Sequence, residues 1–350
     1  MLQLKLKSVN KFCELKMKAR RIIFPSPGEV EVEEFDFNTQ NLRNTDIAIK
    51  TDYSIISAGT ELAILEGIES WAPLPFVPGY GSVGEIIALG RSVNQFQLGN
   101  RVFTFGKHAS KGLTSILTLP IPDSLDSLKA VISRMAAVSI TANRVSQAEL
   151  GDFVSVFGLG LVGNLSAQFF SLSGCEVIGI DISQPRLDLA KKCGIKYVIN
   201  PRKEDVNDTV STITNGKMCT SVIEATGVPS VTEQAIRCAG VLGELILLGS
   251  PRGEYQSNLT DFLNRSHLIS NGCITIKGAL EWRLPINKNS SSKHSIERNL
   301  EIIFNLIQNN KLKVSNLITH VLTPSKCKEA YEGLKNNKDE FIGVIFDWKE

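Results

Sequence analysis

The sequence predicts an α/β protein in two parts, a partly open barrel of short strands and a doubly wound parallel sheet. Three observations carry this. Residues 154–163 read as an apolar strand running into a G-x-G-x-x-G turn, and a helix through Phe170 and a second apolar strand ending on Asp181 follow, which is half of a nucleotide-binding βαβ unit. From there to residue 249 strand and helix patterns alternate, as they do in a parallel sheet covered on both faces. Ahead of it, residues 17–105 hold short alternating strands broken by proline and glycine, the pattern of a small barrel.

Length and composition set the frame. A chain of 350 residues is too long for one ordinary domain and suits two. With 43% hydrophobic and 21% charged residues it can build a large core, and with a net charge of +2 and no long basic block, nucleic acid is not expected as a partner. The seven cysteines (Cys13, Cys175, Cys193, Cys219, Cys238, Cys273 and Cys327) are scattered, with no C-x-x-C pair, and read as reduced buried thiols of a cytoplasmic protein. No run approaches the roughly 18 apolar residues of a membrane span. Residues 1–16 alternate Leu and Lys without the apolar run of a secretory signal, so Met17 could be the native start and the preceding stretch a loose arm.

The elements follow in order. Residues 17–24 and 29–35 are strands joined by a Pro25-Ser26-Pro27-Gly28 turn, and residues 46–53 are a third strand running into Ser57-Ala58-Gly59-Thr60-Glu61. Prolines and glycines over 73–81 forbid helix, and 83–89 and 99–105 are strands. Residues 128–150 switch to helical spacing. The βα series then has strands at 154–157, 176–180, 197–199, 221–223 and 243–249, with helices at 164–173, 185–193, 206–214 and 230–239. A strand over 273–279, a polar serine-rich loop over 285–293, a helix over 296–308, and a strand, helix and strand over 319–322, 325–336 and 343–348 close the chain.

The glycine turn has a chemical reason for each residue. Gly158 allows the tight turn, Gly160 lets backbone approach a pyrophosphate, and Gly163 lets helix pack on strand. Leu161 and Val162 open the helix, whose free N–H groups and partial positive charge suit that pyrophosphate. Asp181 is placed to accept from both ribose hydroxyls of an adenosine and would repel a 2′-phosphate; the next residue, Ile182, is not the arginine of a phosphate site. The cofactor expected is therefore NAD(H), with NADP(H) less favoured. Arg186 is the one residue that could reach a phosphate if it turned back.

This order of parts resembles the medium-chain dehydrogenase/reductase superfamily from Met17 on. The resemblance implies a GroES-like β-barrel catalytic domain of residues 1–150, completed by about 285–350, and a Rossmann domain of residues 151–284. It makes Ile223-Glu224-Ala225-Thr226-Gly227 the turn near the cofactor, and Leu247-Leu248-Gly249 the strand end beside the nicotinamide. It also has Arg186 covering the adenine face and implies a homodimer paired through residues 274–278. The zinc branch of the family places cysteine, then glycine-histidine-glutamate, then a further acid or cysteine around its metal. Here Ala58 stands at the first position, Gly79-Tyr80-Gly81 replaces the second and third, and Arg134 falls at the fourth. A guanidinium has only donors and stays charged, so no zinc is expected.

Without a metal, the alcohol oxygen needs hydrogen-bond donors and a proton acceptor. Tyr80 and Arg134 can donate; Thr60 matches the family's relay hydroxyl; His108 is a candidate acid or base near neutral pH. Structural alternatives stand beside these. Tyr80 could fill the vacated volume and bond backbone, Arg134 could pair with Glu61 or Glu85, His108 could be a surface residue, and Ser57 and Thr60 could cap a turn. The activity expected is a zinc-independent, NAD-dependent interconversion of a secondary alcohol (a polyol, sugar, cyclitol or similar small molecule) and its ketone. The alternatives are a quinone or enone reductase and a dinucleotide-binding protein without turnover.

Overall fold

The computed structural model describes residues 16–40, 42–114 and 116–349. Of the expected N-terminal arm, all but Lys16 lies outside the described residues, as does Cys13. Lys16 opens β1 (Lys16–Ile23), which pairs antiparallel with β2 (Glu31–Asn38) as a separate two-stranded sheet. The connecting turn ends on Gly28 at φ +77°, a left-handed conformation that glycine adopts without cost.

The barrel part is built on β3 (Ile47–Ile55), whose inward residues are nearly all buried. Directly after it comes α1 (Ala58–Leu65), where the sequence reading had only a run following the strand. Gly59 and Thr60 are poor helix formers, which hides the helix, and tertiary packing of Ala63, Ile64 and Leu65 makes it form. Next are β4 (Ser82–Leu89), β5 (Arg101–Thr104), β6 (Lys111–Leu113) and β7 (Thr118–Pro120), then a short α2 (Ser127–Ala130) and α3 (Ser133–Val145).

The second sheet takes over with β8 (Phe153–Phe157), α4 (Leu161–Leu172), β9 (Glu176–Ile180), α5 (Gln184–Lys192), β10 (Tyr197–Ile199) and α6 (Val206–Ile213). It continues through β11 (Cys219–Glu224), α7 (Pro229–Ala235), β12 (Ala239–Leu247), α8 (Leu259–His267) and β13 (Thr275–Gly278). Its six strands are all parallel in the order β10-β9-β8-β11-β12-β13, so the strand order reverses between β8 and β11, where doubly wound sheets bind ligands. The helix α8 escaped the sequence reading because none of its residues is buried and its apolar side is exposed.

The chain then returns through α9 (Ile296–Gln308), β14 (Ile318–Leu322), α10 (Cys327–Asn336) and β15 (Gly343–Asp347). β15 pairs with β3, giving a seven-stranded sheet in which β14-β15-β3-β4-β5-β7 are neighbours and β6 adds to β3. One apolar core runs through both parts: Phe103 of β5, Met135 and Ile140 of α3, Leu165 and Phe169 of α4 and Phe304 of α9 belong to it, with Phe103 and Phe304 edge to face at 6.0 Å. The fold is a GroES-like partly open barrel joined to a Rossmann sheet. α3 lies between them, with its first turn aimed at the cleft.

Candidate active site

The glycine turn between β8 and α4 is shaped by close approach. Gly158 sits at φ +85°, and a Cβ there would stand 2.7 Å from Thr226 Cγ2; a Cβ on Gly163 would stand 1.8 Å from the Gly158 carbonyl oxygen. At Gly160 the same construction meets nothing nearer than Arg186 Nη1 at 3.9 Å. The first and third glycines are thus demanded by the protein, and the middle one leaves open the space a pyrophosphate needs at the start of α4. Leu161 and Val162 face the interior and contribute backbone. Asp181 follows β9 and is 6% exposed; its oxygens accept from Leu159 N at 2.7 Å and Ser183 N at 2.8 Å, leaving a lone pair on each for a ribose. Ile182 beside it is exposed.

Arg186 is engaged by its own neighbours. Its Nε and Nη2 donate to Lys338 O at 3.1 and 2.6 Å, and Nη1 lies 3.8 Å from Asp181, so the guanidinium is held beside the Asp181 carboxylate. The Thr226 hydroxyl is engaged too. Glu224, fully buried at the end of β11, accepts from that hydroxyl, from Thr226 N at 2.7 Å and from Gly227 N at 3.1 Å, and burial raises its pKa. Gly249 presses on the same turn: a Cβ there would stand 2.4 Å from Gly227 N. These residues fit a dinucleotide, and Thr226, Gly227 and Gly249 would hold it through backbone along one floor of the cleft.

Between this floor and the barrel lies a cavity of about 760 Å³. Thr60, Tyr80 and Arg134 line it, as do Leu248 and Ser250 after β12 and Trp282 after β13. Arg134, in the first turn of α3, is 1% exposed and forms a two-pronged ion pair with Glu281, 3% exposed, in which Nη1 donates to Oε1 at 2.9 Å and Nη2 to Oε2. Its guanidinium stacks on the rings of Tyr80 and Phe105, 4.8 and 4.5 Å from their centroids. The expected partners Glu61 and Glu85 are therefore wrong. Glu281 takes that place because the segment after β13 crosses the cleft. Gly81 completes the arrangement, since a Cβ on it would stand 2.3 Å from Arg134 Cγ.

Tyr80 bonds a side chain rather than backbone: its hydroxyl donates to Ser57 Oγ. Burial raises its pKa, opposed by Arg134 and by the Ser57 and Thr60 hydroxyls and aided by Glu61, so the phenol keeps its proton. Thr60 sits in the first turn of α1 with no capping bond from Ser57. Beside them Glu61, 1% exposed, gathers three groups: its Oε1 accepts from Ser57 N at 2.9 Å, and its Oε2 from Tyr331 at 2.6 Å and His108 Nε2 at 2.9 Å. Ser54 Oγ meets His108 Nδ1 at 2.7 Å and accepts from Trp348 Nε1 at 2.8 Å. His108 is thus neither a surface residue nor on the cavity wall. It is fully buried behind Glu61, because the left-handed turn at Gly79 folds directly against its backbone nitrogen.

Sequence reasoning missed Glu281, Glu61 as a hub, and Lys107, which also lines the cavity. The available signal was an acid isolated in the apolar run Ala279-Leu280-Glu281-Trp282. A zinc ion does not fit here. The groups presented are a protonated phenol, a guanidinium, hydroxyls and a glutamate whose oxygens are already taken, and among the described residues no three His, Cys, Asp or Glu side chains converge.

A Rossmann sheet faces a GroES-like barrel across the cleft, an arrangement shared with known dehydrogenases. Residues 43–116 match the alcohol dehydrogenase GroES-like domain and residues 162–284 the zinc-binding dehydrogenase domain. The sorbitol dehydrogenase of Bacillus subtilis is 28% identical over 51% of this chain and 60% of its own, and the D-guloside 3-dehydrogenase of Escherichia coli 26% identical over 71% of each. The crystal structure of 2R,3R-butanediol dehydrogenase from Bacillus subtilis superposes with a TM-score of 0.79 at 18% identity, covering 94% of this chain and 99% of that one. The chain belongs to the medium-chain dehydrogenase/reductase superfamily.

Proposed function

We propose that the protein is a zinc-independent, NAD(H)-dependent oxidoreductase that interconverts a secondary alcohol of the polyol, sugar or cyclitol kind and its ketone. The observation that carries this is the Arg134–Glu281 pair with Tyr80 at the inner end of the cleft, where zinc-type relatives would need metal ligands. The named relatives that act on sorbitol and a guloside support the substrate class.

Bound nicotinamide would supply the hydride acceptor or donor. The chain's own residues do the rest. Thr60 and Arg134 offer donors to the substrate oxygen, and Tyr80, whose phenol stays protonated, adds one by turning its hydroxyl from Ser57 to the substrate, acting as a donor rather than as a phenolate base. Thr60 relays the alcohol proton, accepting it from the substrate oxygen while its own hydroxyl proton passes to solvent in the open cleft. Glu61 and His108 are positioning residues that hold Ser57, and through it Tyr80. Asp181 selects NAD(H) by repelling a 2′-phosphate. We further propose that residues 1–150 with 285–350 form the catalytic unit and 151–284 the cofactor unit, that copies pair through the edge strand β13, and that the protein works in the cytoplasm.

The test is a fluorescence titration with NADH and NADPH, then oxidation of sorbitol, myo-inositol and 2,3-butanediol by protein treated with a chelator. Tighter NADH binding and turnover unaffected by chelation are expected. Turnover confined to a quinone with NADPH, or activity lost on chelation, would overturn the proposal. Sedimentation showing a dilute monomer would refute the dimer.

A further inference from the structure

The charges around the cleft are nearly all matched. Arg134 is paired with Glu281, Arg252 donates to Glu69 Oε1 from Nε at 2.9 Å and from Nη2 at 2.6 Å, and both oxygens of Glu61 are occupied. Lys107 is the exception. It lines the cavity, and among the described residues its ammonium has neither an ion-pair partner within 4.0 Å nor a side-chain hydrogen bond.

Lys107 is an exposed residue, yet it is held in place. Its backbone is fixed on both sides: His108 N donates to Pro78 O at 3.0 Å, Ala109 N to Lys107 O at 2.9 Å, and His108 O accepts from Ile22 N at 2.9 Å. Its ammonium lies 4.7 Å from the centroid of the Phe76 ring, and Phe76 is locked by reciprocal backbone bonds with Phe24 at 2.8 and 2.9 Å. Trp71 stands edge to face with Phe76 at 6.3 Å and also lines the cavity. A cation on the cavity wall, braced by an aromatic ring and without an ion-pair partner, is available to an anion brought by the ligand.

Resting on the reading that this cleft holds the alcohol, we infer that the substrate carries an anionic group, a phosphate or carboxylate, beside its ring or chain, and that Lys107 is the residue that selects it. Partial burial at the cavity wall lowers the Lys107 pKa, and the Glu61 carboxylate opposes that shift.

The test uses the whole protein with NAD⁺ and three matched probes: sorbitol, sorbitol 6-phosphate and gluconate. Oxidation is followed by NADH formation, and binding by emission of Trp71 and Trp282 at the cavity. The expected result is that one anionic probe half-saturates at least roughly tenfold below sorbitol, the size of a charge-assisted bond. The two arms tell phosphate from carboxylate. Lys107→Met should remove most of that preference and Lys107→Arg keep most of it. Equal saturation by all three, or a preference that survives Lys107→Met, would overturn the inference. If no probe is oxidised but an anionic one still changes tryptophan emission through Lys107, the alcohol reading fails and this inference stands. If none is oxidised and none alters emission, both fall.

Discussion

Arg134 shows what single residues in this sequence could and could not disclose. Its place in the chain, with Ala58 and Gly81, is where the resemblance expects metal ligands, and neither a methyl, a bare Cα nor a guanidinium can supply one. Glu281 was invisible, since nothing in a sequence brings position 281 to position 134; the pairing is made by the segment after β13 crossing the cleft. Both charges are almost fully buried, so each is tolerable only with the other. Arg134→Met or Glu281→Gln alone is expected to cost about 3–5 kcal/mol by leaving a buried charge unmatched, and the double variant less than the sum. Urea unfolding of the four proteins measures this, and additive losses would refute the coupling. Tyr80→Phe removes a donor without touching the pair. Its kcat should fall by about two to three powers of ten with NADH binding retained. The raised Tyr80 pKa keeps the phenol protonated below pH 10, so any pH–rate limb between pH 6 and 9 should persist in this variant; a limb that vanishes would show that Tyr80 itself titrates.

Elements were legible where a period was long or a turn chemically marked. The helix α9 matches its predicted span, and each strand from β8 to β12 is where alternation put it to within a few residues. The helices α1 and α8 were lost because the first is short and begins with weak helix formers and the second has no fully buried residue. How the elements are tied together is also hidden from the sequence, and Glu244 of β12 is the example. It is 2% exposed and accepts from Ser146 Oγ and Gln147 N, both at 2.7 Å, from Ser221 of β11 and from Lys277 of β13, so one carboxylate binds the end of α3 to three strands. Burial alone would raise its pKa, but Lys277, the two serines and the backbone N–H together lower it. A depressed folded pKa makes this group's contribution present above the usual value of 4.5 and lost as pH falls below it toward the folded value. Glu244→Gln should therefore lower stability near pH 7 and flatten the acid limb below pH 4.5. A variant whose stability falls with acid as steeply as the parent's would count against this knot.

At the scale of the whole molecule, the sequence announced two parts and a cleft but not what holds the cleft at its present width. Two ion pairs join the barrel side to the sheet side: Arg134–Glu281 deep inside, and Arg252–Glu69 near the mouth, with side chains 27% and 18% exposed. They should answer differently to salt. A nearly dry pair is poorly screened, whereas one in contact with solvent loses much of its attraction beyond physiological ionic strength. Arg252–Glu69 is worth at most about 1 kcal/mol to stability at that exposure, so its removal should shift Tm by only a few degrees. Its effect belongs to opening. If the cofactor leaves by separation of the two sides, NADH release from the parent should quicken severalfold between low salt and 1 M sodium chloride. In Arg252→Ala it should be fast at both, because the screened bond is already gone. Stopped-flow displacement of NADH measures the rates, and thermal unfolding of the same samples checks that the fold is unchanged. Release that is salt-independent in the parent, or equally salt-sensitive in the variant, would mean that the outer pair does not govern the cleft and that the inner pair, backed by the shared core around α3, holds the two sides together by itself.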